Sequence, residues 1–442
     1  MNTIGIIAEY NPFHNGHSYQ IDSIRKQTGA DNIVIIMSGD FVQRGTPAWT
    51  DKYLRTKMAL TCGASLVFEL PAAFSTASAE SFANAGVSLL SSLGFVDGIC
   101  FGAEGYNLAD LQKIAAFLAD PPSSFEEDIR TLTANGITYP AARQQALAKH
   151  FEGLCLAYPT LFSEPNNILA LEYLKAILQQ NSRLTPFLIP RKGNPYHKEE
   201  LDSTFSSATA IRKASLTEYC SLAPCSHFSI SQKEAFLQKI APVVPNGVLT
   251  LLQEYANHYP ISENDYSDIL YYRLTHLSKK DMEILDMTEE IFNRIQKHIT
   301  NFTSFSDFTA QIKTKQYTYS RISRVLLHCL LDIDASCSPK SQPAATCNTL
   351  PCVPYARLLG FRREKSSLLR NIPNLPVITK PADGLIQISA FYNQLPSAEN
   401  YIRYARTLYK KDIFASNLYH QVQGSKLGCT CTSEYYCHPV IF

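Results

Sequence analysis

The stretch that most constrains this chain is its opening. A short apolar run, Thr3–Ala8, is interrupted by Asn11-Pro12 and followed at once by His14-Asn15-Gly16-His17. The run has the length and continuity of a strand buried on both faces of a parallel sheet. Pro12 stops it, and Ile21 and Ile24 at helical spacing, with Gly29 beyond them, predict a helix next. Two imidazoles three residues apart in a helix's first turn share one face, beside backbone N–H groups that favour negative charge. Gly16 between them lets a bound anion approach the backbone. Alone, a His-x-x-His pair is as readily a solvated turn; strand, turn, glycine and helix together favour a triphosphate site.

Chain length, 442 residues, exceeds one ordinary domain, and 45% hydrophobic content is ample for packed cores. No apolar run reaches a bilayer's thickness and no basic segment feeds an apolar one at the N-terminus, so a soluble, cytoplasmic protein is expected. Most of the twelve cysteines stand singly in apolar surroundings, as Cys62, Cys100 and Cys329 do, which fits a reducing compartment. The tail residues Cys429, Cys431, Cys437 and His438 have ligand-like spacing but lack paired Cys-x-x-Cys knuckles, so no metal site is expected there. A net charge of +1 hides local imbalance. Lys313, Lys315, Arg321 and Arg324 occur with no acid between them, and Arg357, Arg362, Arg363, Lys365 and Arg370 form a second basic cluster.

Further buried strands are predicted at Asn32–Met37, Ser65–Leu70 and around Ile99–Phe101, with helices at Asp51–Cys62 and Ala79–Leu93 between them. This alternation predicts an α/β fold with a doubly wound parallel sheet. Ligands bind such sheets outside the strands' carboxyl ends, which places Glu9–His17, Ser38–Gly45 with Asp40, Glu69–Pro71 and Gly102–Glu104 at a shared mouth. Glu69 and Glu104 taken singly read more readily as helix-entry carboxylates; four such strand ends in step favour a site. Residues of about 120–180 turn helical, an insertion in which Asn166 or Asn167 can cap a helix or touch a ligand. Thr185–Pro190 returns to strand and ends at Arg191-Lys192, a basic pair that suits phosphate or simply a solvated loop. Ser206, Ser207 and Thr209 then open a helix bearing Arg212, another anion-binding arrangement unless Ser206 is only an N-cap. Beyond Ser229 the chain reads as mainly helical, with a basic helix over Lys313–His328 whose Arg321 and Arg324 share an outward stripe. Tyr317 and Tyr319 interleave with its charges, as phosphate contact and base stacking on single-stranded RNA require. Residues 1–225 and 226–442 are thus expected as a nucleotide-binding and an RNA-binding region.

The His-x-Gly-His element resembles that of the nucleotidylyltransferases, which include class I aminoacyl-tRNA synthetases. The longer string Glu9–His17 is similar to the start of the tRNA(Met) cytidine acetate ligases. That resemblance runs on through Gly39-Asp40-Phe41, Gln43–Gly45, Phe68–Pro71, Phe101-Gly102 with Glu104, Pro165–Leu169, the stretch from Arg191 to His197, Lys313–His328 and Leu358–Phe361. It departs at Ala103, where Ser is expected, at Ala208 within the Ser-Ser-Thr element, and in the cysteine-rich end.

The resemblance implies a ligase that activates acetate with ATP and Mg²⁺ as acetyl-adenylate, then acetylates N4 of the wobble cytidine in elongator tRNA(Met). It implies His14, His17 and Asp40 as catalytic residues. It places nucleotide contacts at Ile7, Ala8 and Glu9 at the strand end, at Tyr10, Asn11, Pro12 and Phe13 in the turn, and at His14, Asn15, Gly16, His17, Ser18, Tyr19 and Gln20 in the helix. Gly102, Asn166, Asn167, Arg191, Ser206, Ser207 and Arg212 complete them, and Lys313, Lys315, Tyr317, Tyr319, Arg321 and Arg324 are the implied tRNA contacts. Two rival readings are a small-molecule adenylyltransferase, for which the basic helix is incidental, and a nucleotide- and RNA-binding protein without catalysis.

Overall fold

Strand β1, Thr3–Ala8, is the centre of a largely parallel sheet. In this computed structural model, residues 2–105, 107–157, 162–191, 204–219, 230–338, 350–396, 398–430 and 432–442 are described. On one side of β1 lie β2 (Asn32–Ser38) and β5 (Leu66–Leu70), and on the other β6 (Gly98–Ala103) and β7 (Thr185–Pro190), all parallel to it. Between β2 and β5 a short hairpin, β3 (Phe41–Val42) and β4 (Thr46–Pro47), rises from the carboxyl edge. The chain thus builds β2 and β5 outward in one direction, then crosses over β1 to place β6. That reversal opens a crevice at the carboxyl ends of β1 and β6, where ligands bind in sheets of this kind.

Alternation along the strands feeds two cores. Ile4, Ile6, Ile33, Ile35 and Met37 face the helices Asn15–Thr28, Lys52–Thr61 and Asn246–Glu254, while Val34, Ile36, Phe68 and Leu70 face the helices Ala79–Ser92 and Pro165–Gln179. Trp49 anchors the first core, stacked 4.3 Å from Tyr259 with its indole N–H donated to Ser215 Oγ at 2.8 Å. The expected helices of the insertion form at Ser123–Ala134, Tyr139–His150 and Pro165–Gln179. Among the described residues no helix is long and apolar enough to cross a membrane.

The sheet does not stop at residue 225. Strand β8, Ala356–Phe361, adds to β5 in antiparallel sense, and the short β9 (Val377–Ile378) and β10 (Val440–Ile441) pair with β8. The 29-residue helix Glu399–Leu427 packs beneath this flank. A buried polar cluster fastens it. Lys52 Nζ lies 2.8 and 2.9 Å from the two Glu69 oxygens, 2.7 Å from Ser416 Oγ and 2.9 Å from Glu434 Oε1, which Arg357 also reaches at 3.3 Å. Asp412 accepts from the Ala72 amide at 2.7 Å and the Tyr355 hydroxyl at 2.6 Å. Burial and neighbouring acids hold the Glu69 carboxyl above its usual range despite Lys52.

These contacts correct two expectations. Glu69 was expected at the ligand mouth with Glu9 and Glu104, but β5 stands two strands from β1, outside the crevice, and its carboxylate is committed to Lys52. The second basic cluster is only in part a surface: Arg357 is buried and Arg362 donates to the carbonyls of Leu60 (2.6 Å) and Ala64 (3.1 Å), while Arg363 and Arg370 are exposed.

Candidate active site

The helix Asn15–Thr28 begins with a reciprocal cap made by the two histidines. Gly16 N–H donates to His14 Nδ1 at 3.0 Å, and His14 N–H donates to His17 Nδ1 at 3.2 Å. The rings stack with centroids 3.8 Å apart, and Tyr10 and Phe13 pack against His17 at 4.7 and 5.3 Å. Each Nδ1 accepts from an amide, so each neutral ring carries its proton on Nε2, as a donor. Burial first, then the positive charges of Arg191 and Arg212, push His14 down to about 3; burial and His14 hold His17 well below its ordinary value. Both rings are therefore neutral at pH 7. A Cβ on Gly16 would come within 2.8 Å of the His14 ring, so this glycine makes room for the cap itself.

Around this turn lies a cavity of about 1280 Å³ walled by the carboxyl ends of β1, β6 and β7 and by the helical insertion. Glu9 stands at the end of β1 with Oε1 accepting from the Gln43 amide at 2.9 Å. Arg191, at the exit of β7, has Nε 3.5 Å from Glu104 Oε1, which also accepts from Asn166 Nδ2 at 2.6 Å. Burial raises the Glu104 carboxyl, opposed by Asn166 and Arg191. Arg212 projects from the helix Ala208–Tyr219 and donates to the Asn11 carbonyl at 2.6 Å and to Thr209 Oγ1 at 3.1 Å. Ser207, not Ser206, supplies the cap, accepting from the Ala210 amide at 3.2 Å. Two guanidiniums, two imidazole donors and two serines thus converge on a helix N-terminus, an arrangement suited to a polyphosphate.

The cavity wall contains Ile7, Ala8, Glu9, Tyr10, Asn11, His14, Gly16, His17, Tyr19 and Gln20, with Gly102, Asn166, Arg191, Ser206, Ser207 and Arg212. Other expected contacts stand behind it. Pro12 and Phe13 are buried, Asn15 Nδ2 bonds the carbonyls of Thr204 and Pro242, Ser18 lies outside the wall, and Asn167 is buried with Oδ1 accepting from the Glu104 amide at 3.0 Å. Asp40, expected to be catalytic, is also outside it: 3% exposed, it accepts from the Lys52 amide at 2.8 Å and lies 4.0 Å from Arg55. It positions the loop after β2. Arg55, which the sequence reading passed over, does the same more directly, bonding the carbonyls of Glu9 (2.8 Å), Ser38 (2.9 Å) and Gly39. It lies in an ordinary amphipathic helix, so no local pattern marks it. Lys192, Gly193 and His197 lie outside the described residues.

The basic segment sits at the cavity mouth. It is not one helix from Lys313: the helix Phe305–Ile312 ends there, a turn held by Thr314 Oγ1 and the amides of Gln316 and Tyr317 follows, and a new helix runs Tyr319–Leu331. Arg321 and Arg324 line the mouth, Arg321 lying 4.9 Å over the Tyr317 ring, while Val325 and Leu326 are buried as expected. Lys313, Lys315 and Tyr319 are exposed beyond the rim. The β3–β4 hairpin locks this helix in place: Ser323 Oγ donates to the Gly45 carbonyl at 2.9 Å, and Gly45, at φ +77°, lies against the Ser323–Arg324 backbone with no room for a Cβ.

Residues 1–429 match the model of the HIGH Nucleotidyl Transferase family. Among curated relatives, the tRNA(Met) cytidine acetate ligase of Clostridium novyi (strain NT) is 36% identical over 383 residues, covering 86% of this chain and 90% of that protein. The enzyme of the same name from Clostridium tetani (strain Massachusetts / E88) is 37% identical over 396 residues, with 86% and 90% covered. Crystal structures of Thermotoga maritima TmcAL superpose over this whole chain. The apo form gives a TM-score of 0.85 at 27% identity, covering all of that chain, and the form bound with alpha-thio ATP gives 0.83 at 26%, covering 99% of it.

Proposed function

Because the chain belongs to the tRNA(Met) cytidine acetate ligases within the HIGH nucleotidyl transferase family, we propose that it activates acetate with ATP and acetylates N4 of the wobble cytidine in elongator tRNA(Met). The observation that carries this reading is the pair of stacked, neutral imidazoles at a helix N-terminus, facing a cavity that also holds Arg191 and Arg212.

In the first step an acetate oxygen forms a bond to the α-phosphorus as the bond to the bridging oxygen breaks, and pyrophosphate leaves. Charge on the phosphates rises along this path. His14 and His17 donate from Nε2 to the developing charge, and because their Nδ1 atoms are already engaged, little reorganisation is needed when it appears. Arg191 and Arg212 hold the departing pyrophosphate. Mg²⁺ on the substrate would be faced by Glu9, whose carboxylate stands at the end of β1, and would supply further charge neutralisation. In the second step the cytidine amine attacks the acetyl carbonyl, AMP leaves, and the amine gives up a proton as the amide forms.

Small-molecule pockets usually span about 300–1,000 Å³, so a cavity larger than these has space for a nucleotide together with a base turned out of a tRNA loop. Arg321, Arg324, Tyr317 and, further out, Lys313, Lys315 and Tyr319 are the surface for that loop. Division near residue 225 is then one of labour: catalysis before it, with the insertion of about 120–180, and tRNA capture after it. We place the reaction in the cytoplasm, where ATP, acetate and tRNA meet.

The test is acetate-dependent ATP–pyrophosphate exchange alongside mass spectrometry of the tRNA's anticodon nucleosides. His14→Ala and His17→Ala should each lose about 10²–10³-fold in exchange, the usual effect of deleting a transition-state donor, while tRNA affinity stays unchanged. Full exchange in both variants overturns the assignment. Exchange without N4-acetylcytidine points to a small-molecule adenylyltransferase, and ATP and tRNA binding without exchange to a non-catalytic module.

A further inference from the structure

On the face of the Lys52–Glu434 cluster away from the nucleotide cavity, three residues remote from the proposed reaction come together. His420 from the long helix Glu399–Leu427 meets Glu434 and Cys437 from the turn that closes the chain, with one ligand atom of each lying within 4.8 Å of the others. We propose that His420, Glu434 and Cys437 form a Zn²⁺ site that staples the C-terminal segment to the long helix.

Two of the three donors are prepared by their surroundings, while burial and Glu434 push the Cys437 thiol up to about 11, so that it ionises only as the metal binds. His420 Nδ1 lies 3.1 Å from the Thr432 carbonyl, which can only accept, so the proton is on Nδ1 and the lone pair on Nε2. Glu434 is 1% exposed and divides its oxygens: Oε1 takes Lys52, Tyr53 and Arg357, whereas Oε2 is buried and meets no hydrogen-bond donor among the described residues. A metal satisfies that orphaned oxygen. Cys437 is free and half-buried, and loses its thiol proton to solvent on binding. Ligand atoms on one tetrahedral zinc stand roughly 3.3–3.6 Å apart, so the trio needs about an ångström of closure in a short terminal turn.

The neighbourhood also suits a cation. The buried carboxylates Asp40, Asp51, Glu69, Asp412 and Glu434 outnumber the buried cations Lys52, Arg55 and Arg357 on this flank. Entry is open, because His420 and Cys437 border a hollow of about 180 Å³ shared with Asp51, Tyr53, His258 and Thr432, which leaves room for water in a fourth position. Sulfur, imidazole and carboxylate together favour zinc over magnesium or calcium. No metal was expected in the tail from its cysteine spacing; the cluster instead joins Cys437 to a histidine from the preceding helix and an acid.

Full-length protein, stripped with a chelator and dialysed against Zn²⁺, should retain one zinc per chain by elemental analysis and melt at a higher temperature than the stripped form. Co²⁺ in its place should give thiolate-to-metal charge-transfer absorption. Cys437→Ser should abolish that absorption, His420→Ala should lower zinc affinity at least tenfold, and a Cys429→Ser, Cys431→Ser double variant should leave both unchanged. Wild-type protein that retains no stoichiometric zinc, or a site that survives Cys437→Ser and His420→Ala yet is lost in the double variant, overturns the proposal.

Discussion

At the residue scale the proposed chemistry depends on which nitrogen of each imidazole faces outward. The cap turns both Nδ1 atoms to the backbone, and burial beside Arg191 and Arg212 keeps the rings uncharged. This has a consequence for stability. His14 titrates near 6.5 when unfolded and near 3 when folded, so the unfolded chain binds the extra proton between those values. The contribution of His14 should be flat above pH 6.5 and fall towards pH 3, by about 1.4 kcal/mol per unit, whereas the raised Glu69 carboxyl acts in the opposite sense up to about pH 7. The difference between wild type and His14→Ala in urea unfolding at pH 7.5, 6 and 5 isolates the histidine's slope. The sequence pointed to His14, His17, Arg191 and Arg212, which the fold brings to one cavity, because their spacing after strands and at helix starts is local. It did not show that the missing side chain of Gly16 makes space for the His14 ring, or that the Asp40 carboxylate turns inward to the Lys52 amide. Side-chain direction after a strand end is set by packing partners far along the chain, which no local pattern records.

At the scale of elements, the catalytic mouth and the basic surface are one assembly, because the β3–β4 hairpin seats the helix Tyr319–Leu331. Gly45→Ala puts a methyl group into the Ser323–Arg324 backbone at a positive φ, and should push hairpin and helix apart. We expect tRNA acetylation to fall about tenfold or more, mainly through a higher KM for tRNA, with ATP–pyrophosphate exchange little altered; steady-state kinetics with each substrate varied separates the two. Strong periodicity made the strands and most helices legible, from Thr3–Ala8 to Glu289–His298. The basic helix was started six residues too early and ended three too soon, since Lys313–Thr318 has suitable composition but is closed into a turn by Thr314. Its charges reach the same surface all the same.

At the scale of the whole molecule, the expected boundary near residue 225 does not divide the fold, since β8 completes the sheet begun by β5. Lys52 is the charge on which this closure rests. Lys52→Met leaves Glu69 and Glu434 buried without their shared cation and should cost about 3–5 kcal/mol, read as a lower urea midpoint for one cooperative transition. Two separate transitions would instead show halves that unfold independently. An antiparallel strand arriving some 290 residues after its neighbour leaves no trace in local sequence, so this part of the architecture was illegible.

That late arrival matters during synthesis. Until the ribosome has delivered Ala356–Phe361, β5 has no partner on its outer side and its row of backbone N–H and C=O groups stands open. A nascent chain of this protein therefore carries a sticky margin through most of its translation, and a cell that makes it quickly needs chaperones to shield that margin until the last fifth emerges.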